Sequence, residues 1–328
     1  MTRKLATIRT ISAIHPIPDA DLIELAQVDG WQVVVKKDEF KVHDLVVYLE
    51  IDSWVPWVIA PYLSKGKEPR VFNGVKGERL RTIKLKGQLS QGLIIPYRDE
   101  YLEFKDNLDE FLNVQLYEKP LPAQLAGVAR GNFPSFIPKT DQERIQNIPD
   151  RIFETWCMDD WEVTEKLDGS SMTIYLNKGE FGVCSRNLEL KLDQEGNAFV
   201  TIAKQYESIL RRWNHNIAIQ GELIGPGIQG NQYQLEAHQF HVFDLFDIDS
   251  QSYFNPKARQ LAVSILNMKH VPVVGDTKLG DSTKSDIIRL AQGTSFLNNS
   301  EREGLVFKNH GNSSSFKTIS NKWLLNEK

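Results

Sequence analysis

The sequence predicts an α+β protein: a small N-terminal β-barrel followed by a larger region of mixed antiparallel sheets and flanking helices. Three observations lead there. A chain of 328 residues exceeds what one ordinary core organises, so two domains are expected. Residues 1–98 hold short β-rich runs separated by turn signals, with no long helical pattern between them. From residue 136 onward, runs of strand length alternate with segments of helical period.

In order, residues 4–12, 22–28, 31–36, 44–50, 79–86 and 91–96 read as the barrel strands, broken by turns such as "HPIPDAD" and "VDGW". A barrel of this size is OB-like, a class that commonly binds oligonucleotides. "ERLRTIKLKG" (78–87) puts Arg79, Arg81, Lys84 and Lys86 into one strand whose apolar parity changes between Leu80 and Ile83, as at a bulge. Those cations suit a nucleic-acid contact or a charged, protected edge. Residues 99–135 form a connection, with the acidic, helix-prone "DEYLEFKDNLDEFL" followed by Pro and Gly. The second domain, 136–328, carries strands at 161–166, 171–177, 180–186, 217–224, 239–248, 303–308 and 314–319. Asn197 caps a helix whose apolar positions from Phe199 to Trp213 follow the 3.6 period, and further helices are expected at 256–268 and 284–292.

Composition narrows the function classes. The two cysteines, Cys157 and Cys184, lie too far apart for a metal motif and too few for a disulfide framework, so a reducing compartment fits. No apolar run approaches membrane-span length and no targeting segment opens the chain, so a soluble cytoplasmic protein with no membrane partner is expected. The net charge of −4 divides unevenly: residues 1–98 carry 15 Lys/Arg against 11 Asp/Glu, so the acidic excess lies downstream. A local basic surface can bind phosphates on such a chain.

"VTEKLDGSS" (163–171) sets a lysine, an aspartate and a glycine at the end of a strand. Lysine attacks as a nucleophile only when neutral, whereas its ordinary pKa of about 10.4 keeps it charged. Asp-Gly is also a hairpin signal, so Lys166 alone decides nothing. Further segments follow in a fixed order: "SRN" (185–187), "QGELIG" (220–225), "HVFDLFDI" (241–248), "EGLVFK" (303–308) and "SFKTIS" (315–320). Singly, each has an ordinary structural explanation in core, turn or solvated face.

Together, over about residues 136–328, they resemble the covalent nucleotidyltransferase superfamily of RNA ligases, DNA ligases and mRNA-capping enzymes. The resemblance implies that Lys166 forms a covalent lysyl–nucleotide adduct. It implies that Glu165, Arg186, Glu222, Phe243 and Lys317 bind the nucleotide, with Phe243 on the base, Arg186 on ribose or phosphate and Lys317 on the α-phosphate. Asp168, Glu222 and Glu303 are hard oxygen ligands suited to Mg²⁺ or Mn²⁺, directly or through water. Many members carry a second lysine two residues after the late one; here that position is Ile319, with Lys308 and Lys322 as the available substitutes.

Only eleven residues follow Lys317, and the candidate OB barrel lies upstream. That order is similar to ATP-dependent RNA ligases with an N-terminal OB domain. "FPSFIPKTDQERIQNIP" (133–149) looks like their segment before the nucleophile, and Arg144 there is a candidate triphosphate contact. The implied reaction joins RNA 3′-OH and 5′-phosphate ends through lysyl-AMP and adenylated RNA, with ATP and a divalent ion as cofactors. RNA repair is the expected setting, a nicked duplex a candidate partner, and a monomer the expected state. Trp54 and Trp57 are either base-stacking platforms or barrel core. A DNA ligase, a capping guanylyltransferase and a non-enzymatic OB binder are the alternatives, the last because "ISAIHPIPDADLIELAQVDGW" is similar to OB modules that bind tRNA.

Overall fold

The structure, a computed structural model, describes residues 4–117 and 127–326. The chain divides into two compact units, residues 1–120 with 324–328 and residues 121–323. The stretch 118–126 of the expected connection lies outside the described residues.

The first unit is a barrel-like pair of antiparallel sheets. One runs in the order Leu93–Pro96, Leu45–Leu49, Ala6–Pro16, Ile23–Val28, Trp31–Lys36. Its alternation is direct: Trp31, Val33 and Val35 point inward while Gln32 and Lys36 face out. The other runs Gln115–Leu116, Ser53–Pro56, Val75–Arg79, Arg70–Phe72. Residues 99–117, expected as a connection, help to close this core instead. Tyr101, Leu108 and Val114 are buried beside Val47, Leu49 and Val55. Each such side chain withdrawn from water contributes about 1.5–3 kcal/mol.

Two expectations are corrected here. The strand expected at 79–86 is broken, Arg79 ending one strand and Ile83–Leu85 starting a separate hairpin with Gln88–Ser90. The parity change therefore marks an interruption of the strand rather than a bulge. Lys86 and Gly87, both at positive φ, make the tight turn of that hairpin. The helix-prone stretch from Asp99 yields only a short 3₁₀ turn, Asp99–Leu102, and the four-residue helix Leu108–Phe111.

The second unit holds two further antiparallel sheets. The larger runs Ala129–Asn132, Leu188–Leu190, Glu180–Cys184, Ser170–Asn177, Ile217–Ile224, Gln239–Asp247, Ser252–Tyr253, with Lys269–His270 added in parallel. The smaller runs Val273–Lys278, Asp160–Lys166, Gly304–Asn309, Ser315–Ile319. The helix Ala198–Trp213 covers the larger sheet with Val200, Ile202, Ala203 and Leu210. Asn197 caps it through the Phe199 and Val200 amides, and Asn214 ends it in the left-handed region. Helices Pro256–Ile265 and Lys284–Leu290 fall where the apolar period puts them. No helix among the described residues is long and apolar enough to cross a membrane.

Candidate active site

Lys166 is the last residue of Asp160–Lys166, and the next strand, Ser170–Asn177, belongs to the other sheet. "LDG" is therefore no hairpin; it is the step by which the chain crosses between sheets. The glycine is required by close approach. A Cβ on Gly169 would stand 2.4 Å from the Leu223 carbonyl oxygen and 3.0 Å from Glu222 Cγ. With no side chain, the turn lies against Ile217–Ile224 and brings Lys166 and Asp168 toward Glu222.

The register supplies the second acid. Lys166 pairs with Gly304, so Glu303 emerges beside it, and Lys166 Nζ donates to Glu303 Oε1 at 2.6 Å. Burial opposes the charge on Lys166, but Glu303, Glu222 and Asp168 outweigh it and hold the pKa above the ordinary lysine value. Glu222 behaves in the opposite sense. Burial pushes its carboxyl up to about 8; Lys166 opposes the rise, and the carboxylates of Glu303 and Asp168 add to it. Lys166, Glu303, Glu222 and Asp168 thus lie close enough to influence one another, an ammonium among carboxyls.

A divalent ion suits this cluster. Glu303 Oε2 is buried without a hydrogen-bond partner among the described residues, and the donors are hard carboxylate oxygens. No three His, Cys, Asp or Glu side chains among the described residues converge closely enough to hold an ion by themselves. Carboxylates can also hold a divalent ion through its bound water.

The other expected residues sort into two groups. Glu165, one residue before Lys166, accepts from the Phe296 amide through its Oε2 at 2.9 Å. Burial raises its pKa, while Ser295, Phe296 and Arg302 pull it down. Phe243 is half-buried in an apolar group with Leu167, the residue after Lys166, and with Tyr233. Arg144 and Lys317 are paired by a backbone bridge, with the Lys317 amide donating to the Glu143 carbonyl at 2.8 Å. Arg186 joins the same 139–144 segment through Asp141 at 3.1 Å.

Neither substitute for the second late lysine is free in the expected way. Lys308 is buried, donating to Asp244 Oδ1 at 2.5 Å and to the Phe243 carbonyl at 2.6 Å. Lys322 is exposed and 3.6 Å from Glu301. Ile319 itself is core. In the first unit, Trp54 is core, its Nε1 donating to the Val75 carbonyl, whereas Trp57 is exposed. Arg79 is also structural: its side chain is 7% exposed and bonds Asp52 at 2.6 Å. Arg81, Lys84 and Lys86 stay on the surface.

Sequence reasoning missed Tyr233, whose hydroxyl accepts from the Asp168 amide, and the charged residues behind the site. Buried Arg259 bonds Glu162 and lies 3.7 Å from Asp244, and Gln260 completes Glu162. Only the unusual placing of Glu162 and Arg259 inside apolar patterns hints at that network.

Comparison with known proteins follows the same division. The family model described as RNA ligase matches residues 159–323, and an OB-fold domain model matches residues 5–97. A search of curated proteins finds no match. Among solved structures, the RNA ligase of Naegleria gruberi with pyrophosphate is 44% identical, with 98% of each chain covered and a TM-score of 0.91. A mutant of that ligase with ATP and Mn is 44% identical over 98% of each chain, TM-score 0.89. A mutant with AMP and Mn matches at 44% identity over 98% of each chain, TM-score 0.90.

Proposed function

Because the chain belongs to the RNA ligase family, we propose that Lys166 is its nucleophile and that it seals RNA through lysyl-AMP. The observation that carries this reading is the Lys166–Glu303 bond inside the acidic cluster, at a strand end where the chain crosses between sheets. The ammonium first gives up its proton to solvent water. The freed Nζ then attacks the α-phosphorus of ATP, a P–N bond forms, and the bond to pyrophosphate breaks. AMP passes to an RNA 5′-phosphate, forming an anhydride and restoring the lysine. A 3′-OH attacks the activated phosphate, joins the strands and releases AMP.

The chain's own residues account for the first step. Glu222, Glu303 and Asp168 would hold Mg²⁺ or Mn²⁺, directly or through water. When bound, that ion offsets phosphate charge and favours the neutral lysine. Glu303 also orients Nζ, since its Oε1 already holds it at 2.6 Å. Lys317 and Arg144, side by side, offer cations to the phosphates, and Arg186 serves the ribose or phosphate. Phe243 offers a face to the base, and Glu165, held by the Phe296 amide, is the remaining nucleotide contact. The RNA partner carries 3′-OH and 5′-phosphate ends, a nicked duplex among them, and the ligase acts as a cytoplasmic monomer. Free Cys157 and Cys184 agree with a reducing setting.

The test is retention of label on denatured protein after incubation with α-labelled ATP. Wild type takes label. Lys166→Ala takes none, and Lys166→Arg fails equally because a guanidinium stays protonated. Normal labelling of either variant overturns the mechanism.

A further inference from the structure

The backbone just after Lys166 is held by a residue outside the family motifs. The Asp168 amide donates to the Tyr233 hydroxyl at 2.8 Å. Tyr233 is 3% exposed and packs with Leu167, Ile224 and Val271, so its ring grips the turn between nucleophile and aspartate from the apolar side. Burial first, and the carboxylates of Glu303, Glu165 and Asp168 after it, keep this phenol protonated against the pull of the Asp168 amide. It is a neutral acceptor for a backbone N–H that would otherwise be left without this partner.

Tyr233 sits on a loop, residues 225–238, that is tightly fixed. Asn231 bonds both the amide and the carbonyl of Leu235, and His238 Nε2 lies 2.8 Å from the Pro226 carbonyl. Across from it, Asn298 Nδ2 donates to the Gln232 carbonyl at 2.8 Å, one residue before Tyr233. Asn298 belongs to the loop whose Phe296 amide holds Glu165. Glu165 and Asp168 flank Lys166 in the chain, so the two loops grip both sides of the nucleophile and one asparagine ties them together.

We propose that Tyr233 is a positioning residue for nucleotidyl transfer: its hydroxyl fixes the turn that aims Lys166, and Asn298 locks the loop that presents it. The inference rests on Lys166 being the nucleophile. Attack on phosphorus needs the amine aligned in line with the leaving pyrophosphate, and a loosened turn spreads Nζ over unproductive directions. ATP binding depends on other groups and is largely spared.

Single-turnover labelling of the full chain with α-labelled ATP tests this. Tyr233→Phe keeps the ring and removes only the hydroxyl. Its rate constant at saturating ATP falls about tenfold (~1.4 kcal/mol), while KM for ATP stays within about twofold. The fraction of protein finally labelled does not change. A residue that merely stabilised the fold would lower that fraction and spare the rate constant. In nucleotide-free Tyr233→Phe, hydrogen exchange of the Asp168 amide speeds up at least about tenfold. Asn298→Ala moves both readouts the same way, by about threefold, through the loop alone. A wild-type rate constant or wild-type Asp168 exchange in Tyr233→Phe overturns the proposal. Wild-type protein that takes no label overturns the ligase reading instead, so the two failures are distinct.

Discussion

At the scale of single residues, the candidate site rests on one ammonium set among carboxylates. Lys166, Glu222 and Glu303 are legible in the sequence because their motifs occur in a fixed order, each at a strand end or within an apolar strand. Their mutual geometry is not legible, because it depends on the register of Lys166 opposite Gly304 and on the contact of Gly169 with Leu223. Tyr233 is invisible for a related reason: it lies in "GPGIQGNQYQLEAHQ", where no period marks a buried position. The cluster also sets an expectation for substitution. Glu222→Ala and Glu303→Ala each remove a carboxyl of the proposed ion site, and each is expected to lower the rate of lysyl-AMP formation about 10- to 100-fold. Titrating magnesium or manganese separates the two causes. A holder of the ion loses part of its defect at high metal, whereas a group that only orients Nζ keeps it. Wild-type labelling across the titration in both variants would remove these carboxylates from the proposed ion site.

At the scale of elements, the regular pieces follow from their patterns. The helix Ala198–Trp213 shows the period that buries it, and the strands Ile217–Ile224 and Gln239–Asp247 read as apolar runs buried almost throughout. Among the strands not expected from the sequence, Ser53–Pro56 and Arg70–Phe72 are too short, and too close to Pro and Gly, to show a period, and Val273–Lys278 is mostly exposed and interrupted by Gly275. The helix-prone stretch after residue 98 fails for a packing reason: Phe104 and Phe111 stack at 4.0 Å, folding the segment on itself. Two elements are joined by charge rather than apolar contact. Glu162 in Asp160–Lys166 and Arg259 in Pro256–Ile265 are both fully buried and bonded, with Asp244 and Lys308 completing the set. Lys308 reflects the burial: its pKa falls to about 8, with Asp244 opposing the fall. Breaking such a pair leaves a buried charge uncompensated, so Glu162→Ala is expected to cost about 3–5 kcal/mol. Glu207, whose bond to Arg211 lies on the surface of Ala198–Trp213, gives the control. Glu207→Ala should cost about 1 kcal/mol or less. Urea unfolding of the two variants measures both, and equal losses would mean that the buried set contributes nothing special.

At the scale of the whole molecule, the uneven charge asks what the N-terminal unit does. Residues 1–98 carry 15 basic against 11 acidic side chains on a chain whose total is −4. Four cations in "ERLRTIKLKG" read alike in the sequence, yet the fold separates them. Arg79 is buried on Asp52 and stacked over Tyr117, so replacing it would damage the barrel. Arg81, Lys84 and Lys86 are exposed, and no ion pair among the described residues holds them. They sit on and beside the hairpin whose Ile83 and Leu85 are also exposed. A basic, partly apolar ribbon of this kind suits a nucleic-acid backbone. Truncation at residue 98 is a poor test, since Tyr101, Leu108 and Val114 belong to the barrel core. Replacing Arg81, Lys84 and Lys86 together by Gln leaves that core intact. RNA sealing should then weaken and its salt dependence flatten, by about 0.9 in the log–log slope for each lost duplex-phosphate contact. Lysyl-AMP formation should stay near wild type, because ATP is small and needs no extended charged track. Single-turnover adenylation compared with sealing of a pre-adenylated RNA nick decides the matter. Equal loss in both assays would make the ribbon structural, and unchanged sealing would mean that these three cations do not touch RNA.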